Sequence, residues 1–493
     1  MAKHYLACDL GAESGRLMLG TLDGSRLELE EIHRFTNTPL RLDGSLQWNI
    51  PLLFDELKIG LRLIASRKIP IQSIGCDAWG VDYVLFDDAG KIISPTFHYR
   101  DDRCARGVEA AYSKINWPAI FAETGIQFIP INTIFQLAAE SSKRLARARR
   151  LLMIGDAFNF LLSGVAKIEE SMASTSQLYN PRTRNWSARL LDTLNLPAKI
   201  FPEIVSSGTR LGKLLPSIAT ETGLPPIEVI ATCAHDTAAA VAAVPTSGGN
   251  WAYISSGTWS LMGAELSSPI ISDACRELNF TNEIGFGGTV RLLKNIVGLW
   301  IVQECRREWS RAGDELDYAM LASLAAESPP FASLINPADA RFAKPGEMPA
   351  KIAAFCRETS QPAPTTPGAT IRCVLESLAL LYRKTRNQIE QLIGKKLERL
   401  HVVGGGGRNG LLNQFTANAL QIPVLAGPVE ATAAGNVLVQ AIALGDVSSL
   451  AAARKIVADS TAIQTFLPCE TALWNQANER FERLLERSVA PIL

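Results

Sequence analysis

The chain repeats its opening pattern near its middle. A short apolar run, a turn of small residues and a second apolar run occupy residues Cys8–Met18 and again residues Ile254–Met262. Runs this short, separated by Gly, Ser or Ala, predict two strands joined by a tight turn in each copy. Because the copies lie far apart in the sequence, they predict two halves that begin in the same way.

The length of the chain agrees with two domains. Its 493 residues exceed what one hydrophobic core normally organises, and a hydrophobic content of 47% is enough for two cores. A boundary is predicted at Pro245–Gly249, where helix-favouring residues give way to turn residues before the strand Trp251–Ser255. We therefore predict an N-terminal domain of residues 1–245 and a C-terminal domain of residues 246–493.

The order of predicted elements indicates the fold class. Strands at Tyr5–Cys8, Arg16–Thr21 and Leu27–Phe35 predict an antiparallel meander. Leucines at helical spacing predict a helix over Ile50–Ser66, and the apolar run Ile71–Asp77 predicts a buried strand after it. This alternation of helices with strands is typical of an α/β protein.

One segment interrupts the pattern. Residues Pro329–Pro367 contain eight prolines and cannot form a single helix, so we predict an ordered surface excursion with short helices. Beyond it, helical spacing returns over Ala369–Ile393 and Leu473–Leu485, and Leu397–Val403 predicts a strand that leads into a run of glycines.

Charge and cysteine content exclude several classes of protein. Lys plus Arg equals Asp plus Glu at 49 each, and the chain has no basic stripe of the kind that binds nucleic acid. Nine scattered cysteines without a C-x-x-C pair argue against a secreted disulfide scaffold. No apolar run approaches the length of a membrane span. We expect a cytoplasmic protein with a small-molecule partner, without nucleic-acid or membrane partners, that is a monomer or small homo-oligomer.

Three turns of small residues follow predicted strands. They lie at Ala12–Gly15, Ser255–Thr258 and Gly404–Gly407. Small residues let backbone N–H groups approach phosphate oxygens closely, and the hydroxyls of Ser14 and Thr258 add donors. The turns therefore predict a polyphosphate-binding site.

Two aspartates are the candidates for chemistry. Asp9 precedes the first turn and is placed to hold Mg²⁺, because this cation prefers carboxylate oxygens and bridges phosphates; alternatively it only closes the turn. Asp236 lies between the apolar run Ile227–Ile230 and the helical stretch Ala238–Val244. It is either a general base that accepts a hydroxyl proton or the N-cap of that helix. Together, aspartates and turns favour phosphoryl transfer.

The glycine run also permits another interpretation. Gly405, Gly407 and Gly410 satisfy G-x-G-x-x-G after a strand, and Glu430 stands at a possible ribose-binding distance, as in a nicotinamide-dependent dehydrogenase. That pattern is weak alone and leaves Asp9 and Asp236 without a role. No Walker A lysine is present, which excludes a P-loop of the usual form.

Four motifs of the sequence resemble those of one enzyme family. Asp9–Arg16 is similar to a first phosphate motif, Ser255–Gly263 to a second, Val403–Asn409 to an adenosine motif and Gly427–Asn436 to a C-terminal signature of the FGGY carbohydrate kinases. The resemblance covers the whole chain. It implies a two-domain α/β protein with the actin/Hsp70-like (ribonuclease H-like) ATPase fold and a cleft between its domains, with the sugar site in the N-terminal domain and the nucleotide site in the C-terminal domain.

Within this family, the chain resembles the branch that phosphorylates the C1 hydroxyl of L-rhamnulose with ATP and Mg²⁺. The stretches that carry this resemblance are Ile32–Phe35, Asp77–Asp82, Tyr99–Asp101, Lys294–Trp300 and Gln303–Arg306. This resemblance implies that Asp236 accepts the proton. The residues it implies for sugar binding are Gly80, His235, Asp236, Thr237 and Asn295, with Asp82 and Arg100 as weaker candidates. Those it implies for ATP binding are Ala12, Glu13, Ser14, Gly15, Arg16, Thr258, Gln303 and Gly405.

Two residues depart from the family pattern, and some alternatives stay open. Glu13 places a carboxylate in a phosphate turn, where it repels phosphate unless it points away, and Gly407 replaces a larger residue. Neither removes a group that the chemistry requires. Besides the dehydrogenase, the alternatives are another ketose kinase such as an L-fuculokinase or xylulokinase, and a non-catalytic sugar sensor.

Overall fold

The computed structural model describes residues 2–487. Two compact units are present. The first unit consists of the residues up to Ser247 together with Glu265–Leu292 and Glu430–Thr461. The second unit consists of Gly248–Ala264, Leu293–Val429 and residues 462–487. The first unit is therefore assembled from three separate stretches of the chain.

The elements up to residue 247 alternate between strands and helices. In chain order they are β1 (Lys3–Leu10), β2 (Ser14–Asp23), β3 (Arg26–Thr36), β4 (Leu40–Leu42), β5 (Ser45–Trp48), α1 (Ile50–Ser66), β6 (Ile71–Ala78), β7 (Tyr83–Phe86), β8 (Thr96–Phe97), α2 (Arg103–Tyr112), α3 (Trp117–Thr124), α4 (Thr133–Ala138), α5 (Ser142–Arg147), β9 (Arg150–Met153), α6 (Ile154–Ser163), β10 (Ile168–Glu169), α7 (Glu170–Thr175), β11 (Tyr179–Asn180), β12 (Asn185–Trp186), α8 (Ala188–Leu194), β13 (Ile204–Val205), β14 (Thr209–Lys213), α9 (Pro216–Thr222), β15 (Glu228–Ala231) and α10 (Asp236–Ala242).

The remaining elements begin with a second hairpin. They are β16 (Trp251–Ser256), β17 (Trp259–Leu266), α11 (Asp273–Glu277), β18 (Thr281–Ile284), β19 (Val290–Val297), α12 (Trp300–Ala312), α13 (Tyr318–Glu327), α14 (Met348–Glu358), α15 (Pro367–Ile393), β20 (Arg399–Val403), α16 (Gly410–Leu420), β21 (Val424–Ala426), α17 (Ala431–Leu444), α18 (Leu450–Ser460), β22 (Gln464–Phe466) and α19 (Thr471–Arg487). Short 3₁₀ helices include Ala340–Ala343 and Gly405–Arg408.

The main sheet of the first unit has the strand order β14-β15-β6-β1-β2-β3. Strands β1, β2 and β3 pair antiparallel, which confirms the predicted meander. Strand β6 pairs parallel with β1 on one side and with β15 on the other. The carboxyl ends of β1, β6 and β15 therefore point the same way, and residues that follow these strands collect at one edge of the sheet.

Helix α1 illustrates how the sequence specifies this unit. The Asn49 side chain accepts a hydrogen bond from the Leu52 N–H, and Pro51 occupies the first turn, where its missing N–H costs nothing. Its buried face includes Leu53, Leu57 and Leu61, each worth about 1.5–3 kcal/mol of hydrophobic free energy when fully buried. The helix predicted over Ile50–Ser66 is confirmed.

The second unit repeats the hairpin of the first. Strands β16 and β17 pair antiparallel, as β1 and β2 do, and β20 pairs parallel with β16, as β6 does with β1. Strand β21 continues parallel to β20, and β22 pairs antiparallel with β21. The repeated strand–turn–strand pattern of the sequence is thus confirmed as a repeated three-strand arrangement.

The proline-rich segment contains the predicted short helices, namely α14 and the 3₁₀ turn before it. Its description as a surface excursion is wrong, because Phe342, Met348 and Ile352 are completely buried. The prolines break the segment into short pieces. Those pieces still provide apolar side chains to the core of the second unit.

Two helices approach each other closely in the first unit. A Cβ added to Gly435 on α17 would lie 1.8 Å from the carbonyl oxygen of Ala239 on α10. Only glycine fits at this contact, so α17 packs directly against the helix that begins with Asp236. Among residues 2–487, no helix is long and apolar enough to cross a membrane.

Candidate active site

Two carboxylates stand side by side at the carboxyl ends of parallel strands. Asp9 on β1 is the register partner of Asp77 on β6. Neighbouring residues in register point to the same face of a sheet, and both aspartates are buried, with Asp77 fully so. The resulting pair of acids lies directly below the turn of the first hairpin.

Arg16 on β2 holds one of these carboxylates. Its Nη2 atom lies 2.5 Å from Asp9 Oδ2, and its Nη1 atom lies 2.5 Å from Glu430 Oε2. Arg16, which the family resemblance implies for ATP binding, therefore lies between two carboxylates. Glu430, considered above as a ribose ligand of a dehydrogenase, is the second carboxylate partner of this arginine.

Burial and like charges both disfavour ionisation of the two aspartates. Burial raises the pKa of Asp9, the charge of Arg16 opposes this, and the nearby Asp236 and Glu430 raise it further. Burial also raises the pKa of Asp77 well above its usual value, with Asp9 adding to the effect. Both carboxyl groups would therefore ionise more readily if a further positive charge bound beside them.

A polar network from α17 supports Asp77. Asn436 Nδ2 donates to Asp77 Oδ2 at 2.5 Å, and Gln440 Nε2 donates to Asn436 Oδ1 at 2.6 Å. Ser73 Oγ in turn donates to Gln440 Oε1 at 2.7 Å. Asp77 Oδ1 is buried and has no hydrogen-bond partner. The sequence analysis missed Asp77, although an acid at the end of a predicted buried strand was a visible signal.

The two acids fit a divalent cation. A buried carboxylate oxygen without a hydrogen-bond partner costs free energy. A hard cation bound to this oxygen would offset that cost. Residues 2–487 contain no cluster of three or more acidic, His or Cys side chains arranged for a metal. A cation held by Asp9 and Asp77 would therefore take its remaining ligands from water and from a bound phosphate.

Asp236 is the first residue of α10 and does not cap it. His235 occupies the N-cap position, and no side chain makes a capping hydrogen bond there. The alternative that Asp236 is an N-cap is therefore wrong. Its side chain is 32% exposed, and Thr237 Oγ1 donates to Asp236 Oδ1 at 3.0 Å. A partly exposed carboxylate in a fixed position can accept a proton from a ligand.

The turn before Asp236 is anchored by a buried glutamate. Ala234 N–H donates to Glu169 Oε2 at 3.0 Å, and the hydroxyls of Ser171 and Ser207 also donate to Glu169. The Ser171 hydroxyl oxygen accepts from the His235 N–H at 3.2 Å. Burial raises the pKa of Glu169, and these hydrogen bonds oppose the rise. No motif in the sequence indicated a role for Glu169.

Four of the predicted sugar residues lie together in the first unit. Thr237 follows Asp236 directly, and His235 Nε2 lies 3.4 Å from Asp236 Oδ1. A Cβ added to Gly80 would lie 3.3 Å from His235 Nε2, so Gly80 faces the same imidazole. The fifth, Asn295, is half-buried on β19. The structure thus brings Gly80, His235, Asp236 and Thr237 into one group.

Asp82, a weaker candidate for sugar binding, has a different environment. It is fully buried and accepts hydrogen bonds from Trp48 Nε1 at 2.6 Å, Gln136 Nε2 at 2.8 Å and Trp79 Nε1 at 3.0 Å. Burial raises its pKa to about 6 despite these bonds. Because donors of the protein already surround it, Asp82 is a packing residue, and placing it in the pocket was wrong.

The turn of the first hairpin is open to solvent at Glu13. This side chain is exposed, while Ala12, Ser14 and Arg16 are half-buried and Gly15 is buried. The Asn37 N–H donates to the Glu13 carbonyl oxygen at 3.0 Å, and the Gly11 N–H donates to the Ser14 carbonyl oxygen at 2.9 Å. The backbone of the turn is therefore fixed on both sides.

Two small-residue turns adjoin each other in the second unit. A Cβ added to Gly406 would lie 1.9 Å from Ser256 Oγ, whereas one added to Gly405 would meet nothing within 4 Å. The Gly257 N–H donates to the Trp259 carbonyl oxygen at 2.8 Å, which closes the hairpin turn. The glycine turn thus contacts the hairpin through Gly406 and leaves Gly405 open.

Helix α12 begins beside the same hairpin. The Trp300 N–H donates to the Thr258 carbonyl oxygen at 3.1 Å. Gln303, one turn into α12, has a buried Oε1 atom without a hydrogen-bond partner. Thr258, Gln303 and Gly405, all predicted to bind ATP, therefore belong to one region of the second unit.

Sequence comparison decides which family these features belong to. The model of the N-terminal domain of the FGGY family of carbohydrate kinases matches residues 4–243, and that of the C-terminal domain matches residues 252–444. The chain belongs to the FGGY family of carbohydrate kinases. It is therefore a sugar kinase, and the dehydrogenase alternative is wrong. Kinases of this family use a sugar and ATP as substrates, generally with a divalent metal ion.

Relatives match this kinase over nearly its whole length. A rhamnulokinase of Bacteroides thetaiotaomicron is 42% identical over 98% of this chain and 99% of its own. A rhamnulokinase of Enterococcus faecalis is 41% identical over 98% of both chains.

Solved structures establish the fold. A gluconate kinase from Lactobacillus acidophilus superposes with a TM-score of 0.80 at 15% identity, covering 99% of this chain and 98% of its own. Plasmodium falciparum glycerol kinase with ADP gives a TM-score of 0.79 at 15% identity, covering 99% of each chain. The two-domain actin/Hsp70-like fold predicted from the sequence is confirmed.

Proposed function

We propose that this kinase transfers the γ-phosphoryl group of ATP to the C1 hydroxyl of L-rhamnulose, giving L-rhamnulose 1-phosphate and ADP. The observation that carries the proposal is the identity of about two residues in five with rhamnulokinases, over nearly the full length of both chains. The group formed by Gly80, His235, Asp236 and Thr237 supports it, because it supplies a carboxylate beside several polar contacts for a sugar.

In the proposed reaction, Asp236 accepts the proton of the attacking hydroxyl. Thr237 Oγ1 donates to Oδ1 of this carboxylate, so we assign the proton to Oδ2. Removing the proton as the new bond forms makes the hydroxyl oxygen a better nucleophile. Gly80, His235, Thr237 and Asn295 would hold the sugar so that this hydroxyl lines up with the phosphorus atom.

Both hairpins contribute to ATP binding in this proposal. Backbone N–H groups of Ala12–Gly15 in the first unit would stabilise charge that develops on the transferred phosphoryl group, with Arg16 nearby. Thr258, Gln303 and Gly405 of the second unit would contact the nucleotide. The division into a sugar-binding domain of residues 1–245 and a nucleotide-binding domain of residues 246–493 is part of the proposal.

Mg²⁺ is the proposed cation, and Asp9 and Asp77 would hold it. When bound, it neutralises phosphate charge during transfer. Arg16 has a separate task, because its two ion pairs fix the orientation of Asp9. We further propose that the protein is cytoplasmic and acts as a monomer or small homo-oligomer.

A ketose panel tests the substrate. ADP release is measured with ATP, Mg²⁺ and each of L-rhamnulose, L-fuculose and D-xylulose as acceptor. We expect kcat/KM to be highest for L-rhamnulose, and phosphorus NMR to show a phosphate ester at C1. A higher value for another ketose would assign the chain to another branch of the family, and no sugar-dependent ADP release would favour a sugar sensor.

A further inference from the structure

The imidazole of His235 is held from behind by a buried arginine. Arg291 Nη2 lies 3.1 Å from His235 Nδ1. The arginine is fully buried and is itself fixed, because its Nε and Nη2 atoms donate to the Ile284 carbonyl oxygen at 3.2 Å and Nη2 lies 3.2 Å from Glu283 Oε2. All these residues belong to the first unit.

The chemistry of arginine determines which imidazole nitrogen carries the proton. A guanidinium group has N–H donors and no acceptor. Its contact with His235 Nδ1 is a hydrogen bond only if Nδ1 accepts, and a neutral imidazole that accepts at Nδ1 carries its proton on Nε2. The contact with Arg291 therefore favours one tautomer of His235.

The other side of the ring faces the proposed sugar site. His235 Nε2 lies 3.4 Å from Asp236 Oδ1. A Cβ added to Gly80 would lie 3.3 Å from the same nitrogen. An N–H group at this position can donate to Asp236 or to an oxygen atom of a ligand. It cannot take a proton from one.

We propose that Arg291 is a positioning residue that holds His235 as the Nε2–H tautomer, so that the imidazole presents a hydrogen-bond donor to an oxygen atom of the sugar. The donor selects for a substrate with a carbonyl or hydroxyl oxygen next to the phosphorylated hydroxyl, and Asp236 remains the base. The link to the sugar rests on the proposed function, whereas the assignment of the tautomer is independent of that function.

Glu283 is the competing partner of the ring. Its Oε2 atom lies 3.4 Å from His235 Nδ1 and could accept a hydrogen bond from an Nδ1–H group, which would correspond to the opposite tautomer. That separation exceeds the usual hydrogen-bond range, whereas the contact with Arg291 lies inside it. Glu283 is also paired with Arg291, so its charge fixes the guanidinium group.

Nitrogen-15 NMR of the full-length protein tests the tautomer directly. Long-range couplings between ring protons and ring nitrogens distinguish the two neutral forms, and the sequence contains only 5 histidines, so a His235→Gln variant assigns the signal. At about pH 8.5, where imidazoles are neutral, we expect His235 to carry its proton on Nε2. A proton on Nδ1 in the wild-type protein would overturn the proposal.

Substitution of Arg291 tests the cause. In Arg291→Met the nearest partner of Nδ1 is Glu283, so we expect the Nδ1–H form to become populated, while Arg291→Lys keeps a donor and the wild-type tautomer. Arg454→Met is the matched control, because Arg454 forms a half-buried ion pair with Glu265 at 2.9 Å in the same unit. An unchanged tautomer in folded Arg291→Met would refute the role of the arginine.

Kinetics connect the tautomer with the sugar. For Arg291→Met we expect KM for L-rhamnulose to rise about tenfold, the cost of one hydrogen bond, with KM for ATP unchanged. If Arg291→Met does not fold, the wild-type tautomer and the Arg291→Lys variant still decide the matter. If His235 carries its proton on Nε2 but the protein phosphorylates no ketose, the assignment of the tautomer is supported and only the proposed function is refuted.

Discussion

The two hairpins share a backbone arrangement and differ in charge. In the first, Asp9 pairs in register with Arg16, and the parallel strand beside it carries Asp77 as its penultimate residue. In the second, Ser255 and Ser256 occupy the end of the first strand, opposite Leu261 and Ser260. The same hairpin therefore has two different environments. Charged side chains lie at the strand ends of the first hairpin, whereas the serines of the second are small and neutral and let another chain segment approach its backbone.

Under the proposed function, the acid–base and metal chemistry belongs to the first unit. Its strand ends bring together Asp9, Asp77 and Arg16, and α10 adds Asp236. The corresponding part of the second unit has Ser256 against Gly406, with room above Gly405. The comparison predicts that charge-removing substitutions abolish turnover in the first unit, and that steric substitutions weaken nucleotide binding in the second.

The largest effect is expected for Asp236→Asn. Losing a positioned general base should lower kcat by roughly 10²-fold or more, with fold and ATP affinity nearly unchanged. Asp273→Asn is the control, because Asp273 also begins a helix of the first unit but is 80% exposed. Steady-state rates at saturating sugar provide the measurement. If Asp236→Asn retains more than about half of wild-type kcat, Asp236 is not the base.

Asp9→Ala should have the next largest effect. We expect the Mg²⁺ concentration for half-maximal activity to rise about tenfold or more, because the cation loses a carboxylate ligand. Binding of Mn²⁺ with ADP, followed by electron paramagnetic resonance, should weaken in parallel, while sugar affinity stays the same. Ser255→Ala makes the matched change in the second hairpin and should leave the metal titration unaltered. Equal metal curves for both variants would remove the proposed difference between the hairpins.

The smallest effect concerns the glycine turn of the second unit. Gly406→Ala forces a Cβ against Ser256 Oγ and should reduce the free energy of unfolding by about 1–3 kcal/mol, lowering Tm. Gly405→Ala should leave Tm unchanged, because its Cβ meets nothing. If Gly405 contacts ATP as proposed, the same variant should raise KM for ATP alone. Thermal unfolding of both variants reports the packing effect, and KM for ATP of both variants reports the effect on nucleotide binding.

The sequence predicted the fold well because local patterns decide it. Apolar runs, turn residues and helical spacing located β1–β3, α1 and the second hairpin, and the family motifs identified the kinase fold. Such signals depend on residues that are close together in the chain.

The parts of the site that sequence analysis missed depend on distant contacts. Asp77 becomes important because Asn436 donates to it from α17, and Glu169 because the Ala234 N–H donates to it from a distant part of the chain. Arg291 lies on a strand far along the chain from His235. No spacing rule links such residues, since their proximity results from packing of whole elements. The proline-rich segment was misjudged for the same reason, because composition does not reveal which face is covered.

The composition of the first unit from three stretches has a consequence for biosynthesis. A ribosome that has delivered residues up to Ser247 has released Asp9, Asp77 and Asp236 but not Arg291, Asn436 or Gln440. In such a nascent chain, Asp77 lacks the Asn436 amide that binds it, and α10 lacks α17, the helix that packs against it at Gly435. The first unit is therefore completed only after most of the second unit has been synthesised, so it cannot finish folding as an independent N-terminal domain during translation.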